Sequence, residues 1–487
     1  MAHVGIDFGT TNTTCVEIDG RTRSINKYGD EDGHPLPSIL LIDKNTGHVR
    51  CGREVWEHQE KYLAQPHRYH VISSVKEELE APNPIPVLSG EWTKPHLVSV
   101  ILRQLSERYR LYHGGNGGIS TATFSVPVGM SPSARRLLKK AAEIAEIQVT
   151  SFVKESTAAL VREWNSVRAC TYVVVFDWGG GTLDVSVLEI RGDGISERWT
   201  QGLRSAGIHI DRELAKLIHR RIVRDRGPAK PFEAVADNDR DRLICEIEKK
   251  KCALSDPLGD GVIAIDYDGG ESLVELTLED LDAVSAPFVQ DAMTTLSDAI
   301  GAAGISPERV DQILVIGGSS KLPLLRQKLE ADRRFRARLH WPSDPDWAVA
   351  HGASILEGRP GCFSLAETIS LELSDSVQLP LATPGDTTPG PTLTLNLAII
   401  DQRAPGAGGH DARIVLNRMR PGELKHSPLR RFTVPVQGFV EEEVCLQYAL
   451  TADQTFLIQG VAPKTGRSPV VQETEELRFV YRLEGSH

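Results

Sequence analysis

Several features that often decide a function early are missing from this sequence. No apolar run approaches the roughly 20 residues a membrane-spanning helix needs; one of the longest, Val173 to Phe176, has four. The opening MAHVGIDFGTTN holds no charged stretch, apolar stretch and small-residue cleavage site in series, so the reading expects a soluble, cytoplasmic protein without a secretory signal. Basic residues number 55 against 66 acidic ones, and the net charge of -11 argues against nucleic acid or an anionic membrane as partner. The seven cysteines include no CxxC pair, so reduced, mostly buried thiols are expected. Two phosphate-binding signatures are absent as well: there is no GxxxxGK[ST], and no GxGxxG opens a helix after the first strand.

What is present suits a large globular protein. At 487 residues the chain exceeds the roughly 250 to 300 at which single cores stop growing. With 40% hydrophobic and 25% charged residues it has ample material for two or more cores. The first stretch, HVGIDFG then TTNTTCVEID, reads as a hairpin around a Gly-centred turn. TATFSVP and SPSARRLLKKAAEIAEI read as a strand feeding a helix capped by Ser131 or Ser133, with Leu137, Leu138, Ala141 and Ile144 as its apolar stripe. TYVVVFDWGGGTLDVSVLEI then repeats the strand, Asp, Gly-rich turn and strand of the amino terminus, which suggests a duplicated αβ lobe. Charged helical segments around VIAIDYDGGESLVELTLEDL look like an insertion capping the second lobe, and VDQILVIGGSSKLPLLRQKL gives a strand, a Gly-Gly turn and a helix. After residue 361 short alternating runs such as TLTLNLAI and RFTVPV, separated by GDTTPGP and APGAGG, predict a β-sandwich, with ELRFVYRL as a closing strand.

Three turns of small residues stand out, because such turns let backbone N–H groups approach phosphate oxygens. They are Gly9, Thr10, Thr11 and Asn12; Gly179, Gly180, Gly181 and Thr182; and Gly317, Gly318, Ser319 and Ser320. Taken singly, each reads equally as an ordinary turn or a close strand-to-helix contact; their order and separation argue for phosphate. Asp7 and Asp177 close the strands that precede the first two turns. Paired carboxylates of this kind suit a magnesium ion that keeps most of its waters, so Mg-ATP is the expected cofactor.

These residues resemble the heat-shock protein 70 chaperones of the DnaK type, within the actin, hexokinase and chaperone superfamily. IDFGTTNT is similar to their first phosphate motif, VVFDWGGGTLDVSV to the second and VIGGSSKLPLL to the adenosine motif. KESTAAL (Lys154 to Leu160) and DPDWAVAHGAS (Asp344 to Ser354) resemble the connecting hinge helices, and EKKKCALS (Glu248 to Ser255) the helix that contacts adenine and ribose. The resemblance implies an α/β fold: an actin-like, two-lobe ATPase with duplicated ribonuclease H-like lobes over 1–360, a linker at 361–368, and a small all-β sandwich over 369–487. It implies that Lys76 orients the attacking water, that Glu155 and Asp184 surround water and metal, and that Thr10 and Thr182 hold the γ-phosphate. Glu248, Lys251 and Ser255, with Lys321 and Asp346, would face the nucleoside. Without the resemblance, Lys76 reads as a solvated lysine beside Glu77 and Glu78.

Four departures bear on the output. Cys252 stands where the family has an adenine-stacking arginine, and Ser156 replaces a hinge proline. Gly361 to Ala366 poorly match the family's leucine-rich linker, and its helical lid is expected to be missing. Pro127 and Arg135 do occupy the positions of the relay proline and the linker-contacting arginine. The expectation is therefore a slow ATPase whose ATP or ADP state governs binding of an unfolded peptide, with a co-chaperone or exchange factor as possible helper. The alternative is a nucleotide sensor with one dedicated partner.

Overall fold

The structure, a computed structural model, describes residues 3–80, 93–224, 230–255, 259–357, 363–399, 410–420, 423–436, 442–452, 454–474 and 477–483. The expected linker residues Gly361 and Cys362 and the APGAGG loop lie outside them. The chain divides into two compact units, one of Met1–Glu189 with Arg198–Glu357, the other of Ile190–Glu197 with Gly358–His487.

The first unit contains the same arrangement twice. In its first half the strands run Ile25–Tyr28, Asn12–Ile18, His3–Phe8, Thr121–Val126 and Gln148–Lys154 across one sheet. His3–Phe8 and Asn12–Ile18 form an antiparallel hairpin with Asp7 opposite Thr14, and Thr121–Val126 joins in parallel with Ser125 beside Asp7. In its second half Tyr172–Trp178 and Leu183–Arg191 make the equivalent hairpin, with Asp177 opposite Asp184, and Gln312–Ile316 lies parallel to it. Parallel strands covered on both faces read as continuous apolar runs, as in Val173 to Phe176, all fully buried. After Thr121–Val126 the chain enters helix Pro132–Ile144, where the Ser131 hydroxyl accepts the Ala134 N–H at 3.2 Å as cap. Each half has its own core, one around Phe8, Phe124 and Leu138, the other around Phe176, Trp178 and Leu296. The predicted insertion consists of helix Asp237–Leu254, the hairpin Val262–Tyr267 with Gly270–Glu275, and helix Leu278–Ala302.

The second unit holds two four-stranded antiparallel sheets. Gln378–Ala382, Thr368–Glu372, His410–Met419 and Ser427–Val436 form one; Leu393–Ile399, Glu442–Leu450, Phe456–Val461 and Val470–Thr474 form the other. Alternate residues such as Ile414, Leu416, Val434, Val444, Leu446 and Ile458 fill one core, as the period-two pattern requires. The closing strand is present as Phe479–Arg482, but its neighbours are Gly194–Ser196 and Phe363–Leu365 and not the sandwich sheets. Sequence alternation announces a strand without naming its partner.

The cysteine expectation needs correction. Of the six described thiols only Cys15 and Cys245 are buried, while Cys51, Cys170 and Cys445 are half-buried and Cys252 is exposed. Cys252 lies seven residues after buried Cys245 and so on the same helical face, but in the last turn of helix Asp237–Leu254, beyond Ile247, the last buried residue of that helix. Among the described residues no helix is long and apolar enough to cross a membrane.

Helix Leu278–Ala302 begins with a capping box in which Thr277 and Asp280 exchange side-chain and backbone hydrogen bonds. The Arg221 guanidinium also clamps Asp280, at 2.5 and 2.7 Å, and chiefly through this clamp holds its carboxyl down at about 2, below the usual 3.8. A depressed carboxyl contributes its full stability above its unfolded value and loses that contribution as pH falls toward the folded one. Asp280→Asn should therefore cost about 1 to 2 kcal/mol at pH 7. In denaturant melts the gap to the unmodified protein should shrink from pH 4 towards pH 2; a gap independent of pH would contradict the assignment.

Candidate functional site

The two hairpins set the site. Each turns through the same backbone bond, Gly9 N–H to the Asn12 carbonyl at 3.0 Å and Gly179 N–H to the Thr182 carbonyl at 2.9 Å. Each places an aspartate two residues before that glycine, near the end of its strand. Because Asp177 and Asp184 are direct cross-strand partners, the second hairpin holds two like charges side by side, an arrangement that weakens a sheet unless something else uses it.

Lys76 and Glu155 complete the cluster. The Lys76 ammonium donates to Glu155 Oε1 at 2.9 Å, and only 12% of the lysine and 15% of the glutamate side chain is exposed. Lys76 is thus no solvated surface lysine: it is held beside Glu155, Asp7 and Asp184, whose charges raise its pKa although burial opposes them. Asp7 accepts from the Ser125 hydroxyl at 2.6 Å, and burial followed by Glu155 pushes its carboxyl up to about 6. Asp177 is raised well above the ordinary carboxylate range by burial, then by Glu155, Asp184 and Asp7. The Thr182 hydroxyl donates to Asp184 at 3.0 Å. Four carboxylates thus face one ammonium, and the all-oxygen set on Asp7 and Asp177 fits a hard divalent cation such as magnesium.

The loops converge here. A side chain on Gly180 would start 2.0 Å from Thr11 Oγ1, so the first and second loops touch. Ser319 ties the third loop in by donating to the Gly179 carbonyl at 2.7 Å. Gly317 has φ +85°, and a Cβ there would lie 2.5 Å from the Trp178 carbonyl oxygen and 2.6 Å from Asp177 Oδ1; both conformation and space demand glycine. Thr10, Asn12, Gly181 and Gly318 lie in these same loops, and Lys321 pairs with Asp346 at 2.6 Å beside the third.

Helix Asp237–Leu254 brings Glu248 and Lys251 into the same region, and the Ser255 hydroxyl caps its end on the Lys251 carbonyl at 3.1 Å. Glu248 is pushed up to about 7, first by burial and next by Asp211, with Lys251 and the neighbouring Trp56 indole opposing the rise. Beside it, Lys249 donates to the Glu57 carbonyl at 3.1 Å and to Glu60 at 3.3 Å. The segment of the first half that holds Glu57 and Glu60 thereby meets the insertion of the second. Trp56, Gly207 and Asp211 were missed by the sequence reading: GREVWEHQ and HIDRELAKL look like ordinary solvated helices, and only long-range contact reveals them. The relay residues sit together, Met130 N–H on the Pro127 carbonyl at 3.1 Å and Arg135 on the Met130 carbonyl at 3.3 Å.

Comparison with known families gives a match. The family model described as Hsp70 protein matches residues 51–383, from the end of strand Val49–Cys51, well beyond the first hairpin, to just past strand Gln378–Ala382 of the sandwich. The match covers well over half of the chain, and the chain belongs to the Hsp70 family of nucleotide-binding, chaperone-type proteins.

Proposed function

We propose that this protein binds ATP and ADP with Mg2+ in the first unit and hydrolyses ATP slowly, and that its nucleotide state governs the binding of an unfolded peptide by the sandwich. On this reading 1–360 is the nucleotide-binding domain, 361–368 the linker and 369–487 the peptide-binding domain, and the protein works in the cytoplasm. The observation that carries it is the convergence of three small-residue loops on a cluster of four carboxylates and one lysine.

Phosphoryl transfer to water needs positioning and charge neutralisation more than covalent chemistry. Thr10, Thr11, Gly180 and Gly181, in the turns that the Gly9 and Gly179 N–H groups close, offer backbone N–H groups to the phosphates, and Thr10 and Thr182 hold the terminal one. Lys76, fixed by Glu155, orients the attacking water, and Asp184 with Glu155 receives its proton. Asp7 and Asp177 hold the magnesium, which supplies charge neutralisation to the phosphates when bound. Glu248, Lys251, Ser255, Gly317, Ser319, Lys321 and Asp346 face the nucleoside.

The sandwich offers a suitable edge. Leu393–Ile399 borders its sheet, carries no charged residue and leaves Leu393 46% exposed, as a strand that accepts an extended peptide would. A second reading, a nucleotide sensor with one dedicated partner, draws support from Phe363–Leu365. These three residues fall in the expected linker, yet all are buried and paired with Phe479–Tyr481. Exposed Cys252, which cannot stack on adenine as arginine does, points the same way.

Lys76→Ala should lower ATP turnover at least about a hundredfold while the Kd for ATP changes little. Equal losses in both would contradict its role. Gly180→Ala, which drives a methyl group into Thr11, should weaken ATP binding about tenfold, or ~1.4 kcal/mol, by calorimetry. Affinity for an unfolded client should differ between the ATP and ADP states; identical affinities with ATP, ADP and no nucleotide would rule out the switch.

A further inference from the structure

The first turn of helix Gly207–Arg224 touches the second loop, the third loop and Lys251. The Gly207 and Ile208 N–H groups reach the Gly179 and Gly180 carbonyls at 3.5 and 2.9 Å, so the helix start is engaged by the second loop. A Cβ on Gly207 would lie 2.9 Å from Ser319 Oγ, 3.2 Å from the Lys251 ammonium and 3.5 Å from the Gly180 Cα. One turn further on, Asp211 is 3% exposed, and its Oδ2 receives the Lys251 ammonium at 2.8 Å. Lys251 also donates to the Gly207 carbonyl at 3.3 Å. Asp211 Oδ1 is buried and has no hydrogen-bond partner among the described residues, so Lys251 meets no competing donor on this carboxylate.

Buried ion pairs are poor devices for stability, since apolar residues of similar volume usually do as well. They are good devices for fixing a flexible cation. Lysine has a long stem with many rotamers, and an ammonium left to itself turns toward water. With only 12% of its side chain exposed, Lys251 is kept in place from two sides by one helical turn.

We propose that Asp211 is a positioning residue for the nucleoside. It holds the Lys251 ammonium where base and ribose are gripped, and the first turn of its helix joins that grip to the phosphate loops. The inference rests on the reading that these loops bind a nucleotide. Asp211 contributes to recognition of the nucleoside and nothing to recognition of a bare phosphate chain, because its one side-chain hydrogen bond among the described residues is with Lys251.

The test compares binding of Mg-ATP with that of magnesium tripolyphosphate, which lacks the nucleoside, by calorimetry on the full chain. Asp211→Asn should weaken ATP about tenfold or more, leave tripolyphosphate unchanged, and add no further loss in a Lys251→Met background. Asp211→Ser serves if the Asn variant does not keep its melting transition. Unchanged ATP affinity, a parallel loss of both ligands in a folded variant, or an additive loss in the double variant would each overturn the inference. Unmodified protein that binds neither ligand would instead overturn the nucleotide reading itself.

Discussion

Four carboxylates crowded around one ammonium are the constraint to which the rest of the first unit is fitted. Asp177 and Asp184 are cross-strand partners, Asp7 is set on the matching hairpin, and Glu155 opens the helix that ends with Arg162. Backbone pairing sets the positions of Asp7, Asp177 and Asp184, and a helix start that of Glu155, so the four stay close together. The strain shows in the raised carboxyls of Asp7 and Asp177, and Lys76 offsets only part of it. Such a cluster makes sense in a protein that spends part of its time with a divalent cation and a polyphosphate beside it.

The glycines follow from the same constraint. Gly180 is small because Thr11 of the other lobe stands against it, and Gly317 because it packs on the strand carrying Asp177. Closure comes from further out, where the Trp56 indole meets Glu248 and Lys249 meets Glu60. The helix starting at Gly207 binds these regions together from behind, joining the loops to Lys251.

Much of this was legible in the sequence because the informative features are local. A strand, an aspartate and a run of small residues can be read in a dozen positions, and the repetition of that pattern at Asp7 and Asp177 announced the duplicated lobes. The helix cap at Ser131 and the insertion hairpin were equally local. What could not be read depends on long-range partners. Trp56 and Asp211 lie on helices of unremarkable pattern, and their role appears only when residues far away in the chain arrive. The last strand, Phe479–Arg482, was legible as a strand, yet its pairing with Gly194–Ser196 and Phe363–Leu365 has no local signature. Cys252 was expected to follow the burial habit of its residue type, but its place on the helix put it outside.

The central claim is that three loops and one helix, far apart in the chain, grip a single nucleotide. Amide hydrogen exchange of the full chain, with and without Mg-ATP, tests it most directly. The account predicts that Gly9 to Asn12, Gly179 to Thr182, Gly317 to Ser319 and the Glu248 to Ser255 segment gain protection together, at one ATP concentration. Protection confined to one loop, or exchange unaffected by ATP at all of them, would contradict it.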